Sequence, residues 1–196
     1  MDLEQQVIQQ FKASIELKKR SMELLPGGIT GASEALVSCL LNGNKILSCG
    51  IGGSAASAQG FAASLVGRFE NERPGLPALA LTSDGAVLTA LADDDGFRQV
   101  FARQVRALGQ PGDALLMLAS NGNAAIMLEA LKAAHDRSMT VVALTGGDGG
   151  QMVETLASAD IELRVPGNAP IRIQEVHDLI LHCLCHLIDI QLFGGS

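Results

Sequence analysis

Gly50, Gly52 and Gly53 fall within four positions, directly after the short run Lys45-Ile46-Leu47-Ser48-Cys49 and directly before Ser54. An apolar run that ends in glycines and opens onto an Ala-rich stretch over 55–65 reads as a strand, a tight turn and a helix start. The chemistry such a turn supports is anion binding. Glycines let the backbone approach a ligand, and Ser54 as N-cap would stand at the positive end of the helix. An ordinary βα turn uses the same residues, so this stretch alone leaves a phosphate site and a plain turn equally open. Two more polar turns, Ala119-Ser120-Asn121-Gly122-Asn123 and Thr145-Gly146-Gly147-Asp148-Gly149-Gly150, follow later apolar runs. Three such turns on one rim favour a ligand pocket, although Gly and Asn serve any βα turn.

Other groups have plainer readings. His182 and His186 are four apart on an expected helix, with Cys183 and Cys185 nearby, but those cysteines point about 160° apart and no single face collects all four. Asp93-Asp94-Asp95 would cap a helix starting near Phe97, where negative charge is favourable. His135 and His177 read as surface or hydrogen-bonded core residues. Cys39, Cys49, Cys183 and Cys185 lack CxxC spacing and sit in apolar segments, as reduced core cysteines of a cytoplasmic protein do.

The elements that must position these groups alternate along the chain. Apolar runs at 79–81, 114–118, 140–144 and 161–165 follow the opening strand, with helices expected near 54–68, 84–92, 97–107, 123–136 and 149–157. That alternation implies an α/β fold whose parallel sheet is covered by helices on both faces. A last helix over 171–192 is apolar on most sides, and deep burial is expected for it. Leu3, Val7, Phe11 and Ile15 recur every four residues, with Met22 and Leu25 continuing the face, so residues 2–25 should form an amphipathic helix whose stripe wants another helix. Pro26-Gly27-Gly28 would break it before a second helix over 29–41. Residues 1–43 thus read as an assembly segment and 44–196 as the sheet core of a single domain spanning 1–196.

Composition narrows the function. The 196 residues suffice for one domain with a sizeable core. A net charge of −7 with no Lys/Arg stripe argues against a surface that neutralises nucleic-acid phosphates, leaving a small metabolite or a protein as partner. The N-terminus is acidic and polar, unlike a signal peptide, and no apolar run approaches a membrane span, so a soluble cytoplasmic protein is expected.

Several stretches together resemble one family. Residues 44–50 (Asn-Lys-Ile-Leu-Ser-Cys-Gly), Gly52-Gly53-Ser54, Gly67-Arg68-Phe69-Glu70, Arg73-Pro74, Leu144-Thr145-Gly146 with Asp148-Gly149-Gly150, and Arg172-Ile173-Gln174-Glu175 are similar to the sugar isomerase (SIS) domain proteins of the phosphoheptose isomerase group. The similarity runs nearly end to end. It implies a flavodoxin-like α-β-α sandwich with a five-stranded parallel sheet, assembled as a homotetramer. It also implies a sugar-phosphate pocket involving Gly52, Gly53, Ser54, Arg68, Ser120, Asn121, Asn123, Gln174 and His182.

The group contains isomerases that convert sedoheptulose 7-phosphate to D-glycero-D-manno-heptose 7-phosphate with zinc assistance. In these the helix after the glycine loop carries a His and, four residues on, a Glu, which project from one face. This chain has Gly60 and Ser64 there. Gln174 and His182 match the group's Gln and His on the last helix, offset by about 80°. Two donors without the carboxylate make a poor zinc site, so no metal and no catalytic residue are expected. The isomerases read Ser-Thr-Ser-Gly-Asn-Ser where this chain has Ala119-Ser120-Asn121-Gly122-Asn123-Ala124, and Ile51 replaces an Asn. The group also contains DiaA, which binds the replication initiator DnaA, and Ala62-Ala63-Ser64 and the Leu192-Phe193 pair resemble it. The resemblance therefore implies a non-catalytic, partner-binding protein, with DnaA as partner and a residual sugar-phosphate pocket. A working phosphoheptose isomerase is the alternative.

Overall fold

The computed structural model describes residues 2–194. Five parallel strands, β1 (Ile46–Gly50), β2 (Ala78–Ala80), β3 (Ala114–Leu118), β4 (Thr140–Gly146) and β5 (Ile161–Val165), form one sheet in the order β2-β1-β3-β4-β5. The register is continuous at its centre, where Ile46 to Gly50 pair with Ala114 to Leu118 and these pair with Thr140 to Leu144. From β1 the chain moves outward to β2 and then returns past β1 to lay down β3. The sheet's switch point therefore lies between β1 and β3, where the carboxyl ends of strands open a crevice.

Residues alternate across the sheet because successive side chains in a strand point to opposite faces. Ile46, Leu116, Leu118, Val142 and Leu144 pack on one side beneath α1 (Leu3–Leu24), α2 (Pro26–Leu41), α3 (Gly53–Val66) and α8 (Pro170–Phe193). Leu47, Leu115, Met117, Val141 and Ala143 pack on the other beneath α4 (Gly85–Asp94), α5 (Val100–Leu108), α6 (Ala125–Asp136) and α7 (Gly150–Thr155). This is the three-layer α-β-α sandwich expected. Strands buried on both faces explain why β1, β3 and β4 are almost continuously apolar.

Four local expectations are corrected. Pro26 does not sit in a break. It is the first residue of α2, where its missing N–H is not needed, and a 70° bend separates the two helices with only Leu25 between them. Asp93 and Asp94 finish α4, and Asp95 follows as its C-cap, with its carboxylate 2.9 Å from Arg103 Nε. The 3-10 turn at Phe97–Gln99 is instead entered through Gly96, so the acidic triplet ends one helix rather than starting the next. Ser54 is not the N-cap of α3, because the helix begins at Gly53 and Gly52 caps it.

The fourth correction concerns α8. It is one-sided rather than buried all round: Ile173, Val176, Ile180, Leu184 and Ile188 face the sheet, whereas Ile171, Leu179, Ile190 and Phe193 are exposed. Among the described residues it is the one unbroken helix apolar and long enough to cross a membrane, yet its packed face is that of a core helix. The outer stripe of α1 is likewise uncovered, with Leu3, Val7, Phe11, Ile15 and Met22 all exposed.

Candidate functional site

The rim at the strand ends is built first from the glycine turn after β1. Gly52 takes φ +61°, a left-handed conformation that a side chain disfavours, and lets the chain swing from strand into α3. Gly53 has a different constraint. A Cβ there would overlap the carboxamide of Gln174, which reaches over from α8 and rests on the turn. The α3 N-terminus has no side-chain cap, so the positive end of its dipole faces this rim.

The second and third turns are tied to one another. Asn123 Oδ1 accepts a hydrogen bond from Gln151 N at 3.0 Å, and Gly122 O accepts one from Met152 N at 3.1 Å. Asn121 Oδ1 accepts from Asn123 N at 3.2 Å, and Asp148 Oδ1 from Gly150 N at 3.0 Å. Ser120, Asn121 and Asn123 thus stand on the rim, but the Asn121 carbonyl is spent within its own turn and that of Asn123 ties this turn to the next. Beneath them the Thr145 hydroxyl donates to Glu162 Oε1 at 2.5 Å, and Arg164 grips the same carboxylate through Nε and Nη2. His177 is fully buried and donates from Nε2 to Thr145 O at 3.0 Å. Burial pushes its pKa below the ordinary histidine value, against the opposing pull of that hydrogen bond, and so favours the neutral ring.

A separate cavity of about 300 Å³ opens between α3 and α8. Ser57, Gly60, Phe61 and Ser64 line it from α3, and Asp178, Leu181, His182 and Cys185 line it from α8. Positions 60 and 64 therefore do share a space with His182. Gly60 is open, with nothing within 4 Å of where a Cβ would stand. The His182 ring lies against Phe69, their centroids 5.7 Å apart. Cys185 is an inert wall group, because burial, aided by the Asp189 carboxylate, pushes its thiol up to about 12.

Asp178 escaped the reading of the sequence. Its Oδ1 accepts the Ser57 hydroxyl at 2.5 Å, a contact that crosses from one wall of the cavity to the other. A signal was available. Gln174, Asp178 and His182 follow at intervals of four, each offset by about 40° on the helix, so the carboxylate stands midway along a stripe whose two ends had already been paired.

Arg73 was quoted in the family pattern but given no role. Its side chain is 2% exposed and pairs through Nε with Asp189 Oδ1 on α8 at 2.8 Å. Its other nitrogens donate to Leu65 O at 2.7 Å and Ser64 O at 2.8 Å, satisfying carbonyls that the end of α3 leaves free. One guanidinium thus fixes the two helices that wall the cavity. Arg68 is not brought to the cavity. It is exposed and paired with Glu72, four residues on in the irregular segment that follows α3. Leu192 packs against the core, and Phe193 lies half-exposed beside a shallow hollow shared with Glu70 and His186.

These donors do not fit a tetrahedral zinc. Opposite the single imidazole of His182 the wall offers a glycine and a hydroxyl, and the Gln174 amide lies over Gly53 instead. Among the described residues no group of three His, Cys, Asp or Glu side chains could hold a metal ion. What the cavity does offer is one carboxylate and one imidazole on a common helix face, a set suited to moving protons.

Comparison with known proteins bears on this directly. The family profile described as SIS domain matches residues 9–146. A phosphoheptose isomerase of Chromohalobacter salexigens is 52% identical over 196 residues, all of both chains. Among solved structures, the phosphoheptose isomerase GmhA from Neisseria gonorrhoeae superposes with a TM-score of 0.92 at 45% identity, covering 96% of this chain and 99% of that one. One from Francisella tularensis gives 0.94 at 46% identity with the same coverage. These likenesses overturn the expectation of a non-catalytic, initiator-binding protein. End-to-end similarity is to proteins named for isomerase activity, and nothing in it points to replication. The expectation rested on Gly60 and Ser64 on α3 and on the changed turn over 119–124, and it left Asp178 on α8 out of account.

Proposed function

The chain belongs to the SIS domain family, and on that premise we propose that it is a cytoplasmic aldose–ketose isomerase of a sugar phosphate, with sedoheptulose 7-phosphate as substrate and D-glycero-D-manno-heptose 7-phosphate as product. The observation that carries this reading is the 52% identity, over the full length of both chains, to a phosphoheptose isomerase. The reaction moves one proton between adjacent carbons and one between their oxygens. The protein must therefore fix the phosphate, exclude bulk water from the reacting carbons and present proton carriers to them. The α3 N-terminus and the backbone of the glycine turn supply the anion-accepting end, and Gln174 orients the sugar where it crosses that turn. The α3–α8 cavity takes the reacting end.

The test is direct conversion of sedoheptulose 7-phosphate by the purified chain, with and without added zinc. Aldose formation well above the buffer rate supports the reading, and its absence under both conditions overturns it.

The same reading includes a homotetramer in which other copies cover the exposed stripe of α1, five large apolar side chains that this chain leaves uncovered. Light scattering should give four chains for the intact protein and smaller species once residues 1–25 are removed. A monomeric intact protein would refute the assembly.

A further inference from the structure

We propose that Asp178 is the base that carries the proton between the two sugar carbons. This rests on the isomerase reading above and names the group that performs its central step.

Three observations converge on it. Among the described residues Asp178 supplies the one carboxylate in the wall of the α3–α8 cavity, where Gly60 and Ser64 leave room for a substrate. Its oxygen is held by the Ser57 hydroxyl at 2.5 Å, which fixes the carboxylate at the cavity surface instead of letting it swing into solvent. One turn further along α8, His182 lines the same cavity, so a second proton carrier stands beside the first on one helix face. Among the described residues neither Asp178 nor His182 takes part in an ion pair, whereas Asp189, on the same helix, is tied to Arg73.

The step balances without any further reagent. The Asp178 carboxylate takes the proton from the carbon next to the carbonyl. The C–H electron pair becomes the new C1–C2 double bond, and the carbonyl π pair moves onto oxygen, which takes a proton from His182. The enediol so formed returns its other hydroxyl proton to His182, and the neutral Asp178 carboxylic acid delivers its proton to the adjacent carbon. Both groups end as they began, and aldose and ketose are exchanged.

The experiment follows isomerisation of sedoheptulose 7-phosphate in D₂O, reading both turnover and deuterium at the product carbon, together with calorimetric binding of the same sugar phosphate. Asp178→Asn keeps the shape and the acceptor for Ser57 but cannot take the proton. Its kcat is expected to fall by at least about 100-fold, with deuterium incorporation falling in step and the binding constant within about threefold of the wild type. Asp178→Ala should regain at least about tenfold in turnover when formate is added, a rescue that a purely structural carboxylate would not give. A wild type that is active while Asp178→Asn stays within about threefold of it, or an Asp178→Ala variant indifferent to formate, overturns this assignment alone. A wild type inert toward the sugar phosphate overturns the isomerase reading and this assignment with it.

Discussion

Two regions of the molecule use polar residues in opposite ways. On the strand-end rim, Asn121 and Asp148 occupy their side-chain oxygens with backbone N–H groups of their own turns, and Asn123 with one of a neighbouring turn. In the cavity between α3 and α8, Asp178 is held on one side by a single hydroxyl, and the space in front of it remains open. The rim is rich in residues that resemble a binding site but mostly hold the loops in shape, so what it can offer an anion is chiefly backbone and helix dipole. In the cavity the Ser57 hydroxyl is spent on Asp178 Oδ1, while Asp178 Oδ2 and the His182 ring face the open space. Polar density is therefore a weaker guide to chemistry than whether a polar group is already satisfied.

The sharpest way to break that contrast is to loosen the cavity walls. Arg73→Ala removes the guanidinium that joins the end of α3 to α8 and leaves Asp189 buried without its partner. It should destabilise the fold by about 3–5 kcal/mol in urea unfolding. A loss below about 1 kcal/mol would mean that the two helices are held by their apolar contacts alone.

A smaller effect is expected where the two regions meet. Gly53→Ala puts a methyl where the Gln174 carboxamide rests, forcing that side chain off the turn. If Gln174 orients the sugar, kcat/KM for sedoheptulose 7-phosphate should fall by up to about 100-fold, since displacements near 1 Å have effects of that size. An unchanged kcat/KM would place Gln174 outside the site. On the rim itself, Asn123→Ala deletes one exposed hydrogen bond to Gln151 N and should lower stability by only about 1 kcal/mol. Its effect on sugar-phosphate affinity should be slight; a tenfold loss would return the Asn side chains to the binding machinery.

The gentlest probe is pH. His177 has its pKa lowered by burial, so in the unfolded chain, where it titrates near the ordinary value of 6.5, it binds a proton more readily than in the fold. Its contribution to stability is complete above pH 6.5 and is lost as pH falls from there toward the folded value. The urea midpoint should decline between pH 7 and pH 5 more steeply in the wild type than in His177→Gln, and equal slopes would show the imidazole to be accessible after all.

Much of the architecture was legible because it is written in local pattern. The apolar runs at 114–118 and 161–165 coincide with β3 and β5, and β2 and β4 differ only at their ends. Periodicity also found the exposed stripe of α1. What it could not supply is which wall of a cavity faces which. Gly60 and Ser64 were correctly seen as unable to act as imidazole and carboxylate, but whether a replacement existed depended on how α8 lies against α3, a tertiary fact. Asp178, set among Leu and Ile in an apolar helix, carries no local mark of its role beyond its place midway between Gln174 and His182. Ser54 was misplaced for a related reason: the N-cap at Gly52 depends on a positive backbone φ, which residue type alone does not show.

The one-sided burial of α8 also bears on how the protein is made. This helix contributes Ile173, Val176, Ile180, Leu184 and Ile188 to the core, yet it is synthesised after all five strands. While the ribosome is still adding it, the strands and the α4–α7 layer can already assemble, but the opposite face of the sheet stays bare where α8 will lie. Contacts of α8 with α1, α2 and α3 span more than a hundred residues, and pairings of that range form late. The nascent chain thus passes through an interval with a broad apolar surface uncovered, during which a chaperone or another nascent copy has its best chance to bind. Cold or slowed translation, which lengthens that interval, should lower the soluble yield of this protein more than that of a sandwich whose faces are closed in sequence order.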